Sequence, residues 1–282
     1  MNVKPLHTSP NVLSIAGVDP SGGAGVFADL KAFSALGAYG CGVVVALTAQ
    51  NTQGVTGVSL TPPEFVAAQI DTLFADVQIS AIKIGMLGSA ELVTQVADRL
   101  RSVAKGIPIV LDPVMVAKSG DALLAPDATA ALISELLPLA TVLTPNLPEA
   151  GVLLDSSAPE SVDQMRVVAE KLRHLMQVPG AWVLLKGGHL MDGPAVDLLY
   201  NGEQLIELSS PRVATRNTHG TGCTLSAAIA ALLPQRDTTP EAVADAKAYL
   251  SQAIGAADLL QVGSGHGPVH HFHQLWQNLP TA

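Results

Sequence analysis

Cysteine is scarce in this sequence, which contains only Cys41 and Cys223 among its 282 residues. Two cysteines provide no disulfide framework, so we expect a reducing, cytoplasmic environment. Long apolar runs are also missing: the longest, roughly residues 43–49, is far shorter than the ~20 residues that cross a bilayer. The first five residues lack the basic-then-apolar pattern of a signal peptide. The sequence therefore predicts a soluble protein with no membrane partner.

Positive charge is scarce as well. Lysine and arginine number 15 against 24 aspartate and glutamate residues, which gives a formal net charge of -9. Such a balance argues against a nucleic-acid groove and against an anionic membrane surface. The partner that remains is a small molecule.

Apolar strands alternate with amphipathic helices along the chain. Strands are predicted at 12–16, 41–48, 81–84, 107–114, 141–144 and 181–186, and helices begin near 26, 61, 89, 161, 220 and 240. Gly37 is expected to close the first helix, and a capping box from Thr61 to Glu64 to open the second. This alternation indicates an α/β fold whose mostly parallel sheet is covered by helices on both faces.

One segment breaks the alternation. Residues 195–200 and 204–208 flank Asn201-Gly202, a dipeptide typical of type I′ hairpins. We expect this antiparallel pair at one edge of the sheet. No stretch has the composition of a linker, so residues 1–282 are interpreted as a single domain, with 1–11 as a loose N-terminal extension.

Polar side chains collect at the predicted carboxyl ends of the strands, where parallel α/β sheets bind their ligands. They are Asp19, Gln50, Asp112, Asn146, Glu149, Lys186 and His189. Capping and turn chemistry is the alternative explanation for some of them. The concentration at one rim predicts a binding site there.

The segment from Asn217 to Leu225 contains two glycines directly before a predicted helix. Free amides at such a helix start form an anion hole suited to transferring phosphoryl oxygens. Cys223 falls in the first turn, where the helix dipole is expected to lower its pKa so that the thiolate can take a proton from an attacking alcohol. The alternative is a tightly packed helix start with a buried, inert cysteine, and residue chemistry alone does not decide between them.

Three further signals have equally plain alternatives. The glycine-rich segment 17–25 fits neither G-x-x-x-x-G-K-[ST] nor G-x-G-x-x-G, so it indicates either close approach to a ligand or only a tight turn. Asp112, Asn146 and Glu149 can hold Mg²⁺ largely through its waters, although Glu149 can instead cap a helix that begins at Pro148. Lys186 can neutralise phosphate charge or simply extend to solvent.

Three histidines stand near the C-terminus, at positions 270, 271 and 273. No cysteine or further histidine gives them a recognised ligand spacing. We interpret them as part of a C-terminal segment that is docked on the surface.

Seven motifs together carry a resemblance to a known family. They are IAGVDPSGGAG (15–25), ALTAQNT (46–52), KIGML (83–87), LDPVM (111–115), LTPNLPEA (143–150), KGGH (186–189) and GTGCTL (220–225). In this order they resemble the hydroxymethylpyrimidine/phosphomethylpyrimidine kinases of thiamine biosynthesis, in the ribokinase-like superfamily. The match runs from about residue 12 to residue 273 and implies a three-layer α/β/α fold.

The resemblance implies a role for each motif. The pyrimidine ring would be framed by Gly17, Asp19 and Gln50, with Met86 and Val114 on its apolar faces. Gly220, Thr221 and Gly222 would form the anion hole, and Cys223 would take the place of the aspartate base of other ribokinase-like enzymes. ATP and Mg²⁺ would be held by Asp112, Asn146, Glu149, Lys186, Gly188 and Thr218, with adenine near Lys247.

The activity that this resemblance implies is two successive transfers from ATP, first to the alcohol of 4-amino-5-hydroxymethyl-2-methylpyrimidine and then to its monophosphate. A homodimer is also implied. Two alternatives stay open: a pyridoxal or pyridoxine kinase, because that ring carries the same 5-hydroxymethyl group, and a non-catalytic ligand sensor on the same fold.

Overall fold

The computed structural model describes residues 9–115, 126–188, 190 and 195–276. A nine-stranded sheet with the order β3-β2-β1-β4-β5-β6-β7-β8-β9 forms its centre. The strands are β1 Asn11–Val18, β2 Tyr39–Gln50, β3 Val55–Leu60, β4 Ala81–Ile84, β5 Ile109–Leu111, β6 Val142–Leu143, β7 Trp182–Lys186, β8 Ala195–Tyr200 and β9 Leu205–Ser210. The six strands from β2 through β7 in this order pair in parallel.

Helices cover both faces of the sheet. Their bounds are α1 Gly25–Ala35, α2 Pro63–Phe74, α3 Ala90–Val103, α4 Pro126–Ala131, α5 Leu147–Leu153, α6 Val162–His174, α7 Thr221–Leu232 and α8 Thr239–Gly255. One buried core contains side chains of α2, α3, α5 and α6, and the other contains those of α1, α7 and α8. The predicted three-layer α/β/α arrangement is confirmed.

The parallel strands connect the two cores. Val110 lies in the core under α7 and α8, and its neighbour Leu111 lies in the opposite core. Val142 and Leu143 divide in the same way. Because successive side chains of a strand point to opposite faces, a strand buried on both faces must be apolar at every position. This requirement explains the continuous apolar runs in the sequence.

Both sheet edges are antiparallel. The predicted hairpin is confirmed as β8 and β9, but β3, which pairs antiparallel with β2 at the opposite edge, was not predicted. The residues of β3 are almost all exposed, so the strand has no continuous apolar run like those that identified the others.

Two predicted local structures are wrong. The hairpin loop spans residues 201–204, with Asn201 Oδ1 accepting hydrogen bonds from the amides of Glu203 and Gln204. A type I′ turn needs positive φ at both central residues, whereas only Gly202 has it here. At α2, Pro62 is the N-cap and no side chain caps the helix, so the Thr61 capping box does not form.

The chain termini also differ from expectation. Residues 1–8 of the predicted extension lie outside the described residues, but Asn11 begins β1 and donates a hydrogen bond to the carbonyl of Gln78. The C-terminal histidines are buried rather than on the surface, because their segment packs against α7 and α8. His271 Nε2 lies 3.0 Å from Thr224 Oγ1, and the carbonyl of His271 accepts from the Tyr249 hydroxyl. No helix in the described ranges is long and apolar enough to span a bilayer.

Candidate active site

A cavity of about 840 Å³ opens at the carboxyl ends of the parallel strands. All sixteen residues predicted for the site line it: Gly17, Asp19, Gln50, Met86, Asp112, Val114, Asn146, Glu149, Lys186, Gly188, Thr218, Gly220, Thr221, Gly222, Cys223 and Lys247. His189, the remaining polar strand-end residue, lies outside the described residues. The residues that the sequence predicted for the site therefore surround a single cavity.

Asp19 organises the glycine-rich loop between β1 and α1. Its carboxylate accepts hydrogen bonds from the amides of Ser21 and Ala24 and from the Ser21 hydroxyl. His219 Nε2 lies 2.7 Å from the same carboxylate. Burial opposes ionisation of Asp19, but the hydrogen bonds from His219 and Ser21 outweigh it and hold the pKa below its ordinary value.

The His219 contact ties this loop to the start of α7. Gly220 is the N-cap of α7 and has φ +73°, a left-handed conformation that glycine adopts without strain. A Cβ on Gly220 would lie 1.6 Å from the carbonyl oxygen of Gly23. The two backbones therefore touch, which fixes the first turn of α7 against the loop.

The first turn of α7, with its backbone amides, lines the cavity. Helix geometry leaves these amides without intrahelical partners, and Thr224 is where the helical hydrogen bonding to Gly220 begins. The amides at Gly222 and Cys223 can thus bind an anion, which agrees with the predicted anion hole.

The pKa of Cys223 differs from the prediction. Burial raises the pKa of its thiol to about 11, although the ammonium group of Lys83 and a hydrogen bond from the Gly25 amide act in the opposite direction. At pH 7 a thiol with this pKa is ionised in about one molecule in ten thousand.

Asp112 and Lys186 form a buried ion pair, with Lys186 Nζ 3.1 Å from Asp112 Oδ1. Thr144 and Ser226 also donate to this carboxylate. Burial raises the pKa of Asp112, but Lys186 and Lys83 outweigh it and hold the pKa below its usual range. Lys186 does not extend to solvent and instead faces the cavity beside the anion hole.

Asn146 and Glu149 form a reciprocal capping box on α5. Asn146 Oδ1 accepts from the Glu149 amide at 2.9 Å, and Glu149 Oε2 accepts from the Asn146 amide at 2.8 Å. The capping interpretation is thus observed, although the helix begins at Leu147 rather than Pro148. Burial raises the pKa of Glu149 to about 7, with Lys186 opposing and Asp112 adding to the rise.

The same groups fit Mg²⁺ in its usual hydrated form. Within the described part of the chain no three His, Cys, Asp or Glu side chains form a group able to hold an ion by themselves. Mg²⁺ typically uses one or two carboxylates, several waters and substrate phosphates. Asp112 and Glu149, which face one cavity and disfavour each other's charge, provide that donor set.

The part of the cavity at the ends of β2, β4 and β5 also carries apolar side chains. Met86 and Val114 line it, and the absence of a side chain on Gly17 makes room for Met86, whose Cε would lie 3.0 Å from a Cβ there. Gln50 is held at the end of β2, where Thr48 donates to its Oε1 at 3.2 Å. The other group of this carboxamide remains available to a ligand.

Lys247 lies in the cavity wall but is paired. Its Nζ is 2.5 Å from Asp197 Oδ2, and Asp197 also accepts from the Gly187 amide. Any contact of Lys247 with adenine would therefore involve this ion pair rather than a free ammonium group.

Comparison with known proteins now assigns the family. The family model described as Phosphomethylpyrimidine kinase matches residues 19–270. The chain belongs to the phosphomethylpyrimidine kinase family. A curated relative from Escherichia coli, named hydroxymethylpyrimidine/phosphomethylpyrimidine kinase, is 53% identical over 94% of this chain and 98% of its own length.

Solved structures of this family and its neighbours share the fold. A phosphomethylpyrimidine kinase from Clostridium difficile is 41% identical, with a TM-score of 0.76 over 87% of this chain and all of the other. The pyridoxal kinase from Staphylococcus aureus, in complex with AMP-PCP and pyridoxal, is 33% identical, with a TM-score of 0.85 over 95% of each chain. The ribokinase-like architecture is confirmed by these likenesses.

Sequence reasoning missed two residues that line the cavity, Lys83 and His219, and the buried partner of Lys83, Asp29. Lys83 was quoted only as part of a motif, because a lysine inside a short strand gives no sign of its partner. Asp29 lies on the buried side of α1, 54 positions from Lys83 in the sequence, and His219 lies 200 positions from Asp19. A buried charged residue amid apolar neighbours was the available signal for Asp29 and Lys83.

Proposed function

We propose that this protein transfers phosphate from ATP to 4-amino-5-hydroxymethyl-2-methylpyrimidine and then to the resulting monophosphate, as a single-domain enzyme of thiamine biosynthesis. The observation that carries the proposal is one continuous cavity. It joins the part with Gln50 and apolar side chains to an anion hole with Cys223. The names of the close relatives support the same substrate.

The pyrimidine binds in the part of the cavity that carries these apolar side chains. Gln50 can donate and accept together, which suits the adjacent amine and ring nitrogen of an aminopyrimidine. Met86 and Val114 contact the faces of the ring. The 5-hydroxymethyl group is then directed towards the first turn of α7, where the γ-phosphoryl group of ATP lies on the amides.

In the first step the substrate oxygen attacks the γ-phosphorus in line while its proton passes to Cys223. The oxygen–phosphorus bond to the acceptor forms, the bond to the β,γ-bridging oxygen breaks, and ADP leaves. The amides of α7 and the Lys186 ammonium group stabilise charge on the transferring oxygens. In the second step the acceptor is a phosphate oxygen that is already ionised, so a base is not required.

ATP lies along the other side of the cavity, with phosphates beside Lys186, Gly188 and Thr218 and with adenine near α8 and the Lys247–Asp197 pair. A Cβ on Gly188 would meet no described residue within 4 Å, so this position leaves room for a nucleotide. Mg²⁺ held near Asp112, Asn146 and Glu149 would neutralise phosphate charge. The cytoplasm, where ATP is available, is the proposed location.

Comparative kinetics test this substrate assignment. We expect kcat/KM for the hydroxymethylpyrimidine to exceed that for pyridoxine by at least about tenfold, a discrimination that one lost hydrogen bond in a pocket can supply. Equal or faster turnover of pyridoxine would instead indicate a vitamin B6 kinase. That activity is the second candidate, because pyridoxal kinases share the fold. Ligand binding without ADP release would favour the sensor.

The replacement Glu149→Gln is expected to raise the Mg²⁺ concentration needed for half-maximal activity by about tenfold in both steps, since metal affinity falls ~10–100-fold when a supporting group is lost. Glutamine still completes the capping box, so the fold should be retained. A magnesium titration of each phosphorylation measures the change. Glu241→Gln is the matched control, because Glu241 occupies the same capping-box position on α8 outside the cavity. An unchanged magnesium requirement in Glu149→Gln would exclude this residue from metal binding.

We also propose that the protein is a homodimer assembled through the β3 edge. Val58 and Leu60 lie on one face of this strand and are 51% and 44% exposed. An edge strand with exposed apolar side chains is a template for pairing with another strand, and a second copy can pair with it symmetrically.

The dimer proposal predicts that Val58→Asp converts a dimer to a monomer, because two carboxylates would face each other across the twofold axis. Light scattering after size exclusion measures the mass. Leu259→Asp, at a more exposed apolar residue after α8, should remain dimeric. A monomeric parent protein, or an unaltered mass for Val58→Asp, would contradict the proposed interface.

A further inference from the structure

A fully buried ion pair lies behind the wall of the cavity. Lys83 in β4 and Asp29 in α1 both have no exposed side-chain surface, and Lys83 Nζ lies 2.8 Å from Asp29 Oδ2. The hydroxyl of Ser14 in β1 donates to the same oxygen at 2.6 Å. Nothing in the proposed mechanism so far uses this pair.

The pair lies next to the start of α7, where Cys223 is, because α7 packs against both α1 and β4. Gly25 is the first residue of α1. Asp29 follows Gly25 by four positions and therefore lies one turn further along the same face of α1. Lys83, held by Asp29, lines the cavity together with Cys223. The N-termini of α1 and α7 are in contact, since a Cβ on Gly220 would lie 3.4 Å from the Cα of Ala24.

The pair is not explained by stability. Removing two charges from water costs more than their attraction returns unless every polar atom is satisfied, and buried pairs can often be replaced by apolar residues without loss. Here Asp29 Oδ1 is buried and has no hydrogen-bond partner among the described residues. Space is also reserved for the ammonium group, because a Cβ on Gly85 would lie 2.7 Å from Lys83 Nζ.

We propose that Lys83 is a positioning residue for proton transfer, whose buried ammonium group, paired with Asp29, stabilises the thiolate of Cys223. This inference rests on the proposed function, because it requires Cys223 to act as the base. The thiolate forms by loss of a proton to solvent, then takes the proton of the acceptor alcohol as the new oxygen–phosphorus bond forms. The thiol that results is neutral and returns its proton to solvent after the product leaves.

Four charged groups act on the thiol from the elements around it. The two cations are Lys83 from β4 and Lys186 from β7, and the two anions are Asp29 from α1 and Asp112 after β5. Lys83 has the largest favourable effect on the thiolate, and both aspartates oppose it. Loss of Lys83 together with the charge of Asp29 should therefore reduce ionisation of Cys223.

The test uses two double variants of the full chain, each of which keeps the net charge of the parent protein. Lys83→Met/Asp29→Asn removes both charges, and Lys83→Gln/Asp29→Asn does so while an amide pair keeps a hydrogen bond. Alkylation of Cys223 by iodoacetamide is followed between pH 7 and pH 10 by mass analysis of its peptide. Ser14→Ala is the matched control, because it removes a hydrogen bond and retains both charges. Alkylation of the buried Cys41 in the same molecules reports on folding.

We expect both double variants to alkylate Cys223 about tenfold more slowly than the parent at each pH, as for a thiol that has lost a nearby cation. Ser14→Ala should alkylate at the parent rate. The first phosphorylation should show its rise with pH displaced to higher pH in the double variants, with little change in the second. Alkylation at the parent rate in a folded double variant would overturn the inference. Alkylation needs no substrate, so it tests the effect of Lys83 on Cys223 separately from kinase activity. A parent protein that lacks kinase activity would refute the proposed function, and the alkylation rates would still decide the inference.

Discussion

Cys223→Ala is expected to lose most of the first phosphorylation and little of the second. General base catalysis contributes about 10²–10⁴-fold to a rate, and only the alcohol needs a base. The phosphate acceptor of the second step is already an anion, so its attack depends on position and on charge stabilisation instead. The asymmetry between the steps distinguishes a base from a residue that only packs at the start of α7.

Separate initial rates with the hydroxymethylpyrimidine and with its monophosphate measure this asymmetry. Cys41→Ala is the control, because Cys41 is buried in β2 away from the cavity and should leave the ratio of the two rates unchanged. Equal losses in both steps for Cys223→Ala would remove the base from the mechanism.

Gly220→Ala is expected to impair both phosphorylations by at least ~10²-fold, since a displacement of about 1 Å in a catalytic group can have that effect. Its φ of +73° costs an alanine ~1–2 kcal/mol. The added Cβ would also collide with the Gly23 carbonyl, 1.6 Å away. The first turn of α7 must then move away from the glycine-rich loop, which displaces the anion hole from the acceptor.

Steady-state rates for both steps and a thermal melt test this expectation. Gly255→Ala is a matched control, because Gly255 ends α8 without positive φ and a Cβ there meets nothing within 4 Å in the part of the chain that the structure describes. It should retain full activity and a parent-like melting temperature. Parent-like rates for Gly220→Ala would show that the contact between the loop and α7 does not position the anion hole.

The fold was largely predictable because its strands are buried on both faces. A strand such as β7, with Leu184 in one core and Leu185 in the other, must be apolar throughout and is easily recognised. Helices were also predicted to begin near 89 and 161, and there Ser89 and Ser161 are the N-caps of α3 and α6. The exposed β3 lacked any such pattern and was missed.

The members of the site were predictable, but their electrostatics were not. Residues at the ends of parallel strands must converge, so Asp112, Asn146 and Lys186 were found from strand boundaries alone. Charge pairing depends on partners distant in sequence, and the lysine that acts on Cys223 is 140 positions away. Local reasoning considered only the dipole of α7 and therefore gave the wrong direction for the thiol pKa.

The Asn146–Glu149 pair shows that a structural and a functional interpretation can both hold. The capping box uses one oxygen of each side chain to begin α5. It also fixes both groups in the cavity wall, which supplies rigid positions for a hydrated ion at no further conformational cost. A capping box at a strand end is thus compatible with the proposed magnesium site.

Timed mass analysis of one reaction, with Mg·ATP and 4-amino-5-hydroxymethyl-2-methylpyrimidine as the only organic acceptor, tests the central claim most directly. The account predicts that the monophosphate appears first, reaches a maximum and is then converted to the diphosphate by the same protein. A folded protein that leaves the pyrimidine unphosphorylated, or that stops at the monophosphate even when this is supplied in excess, would contradict it.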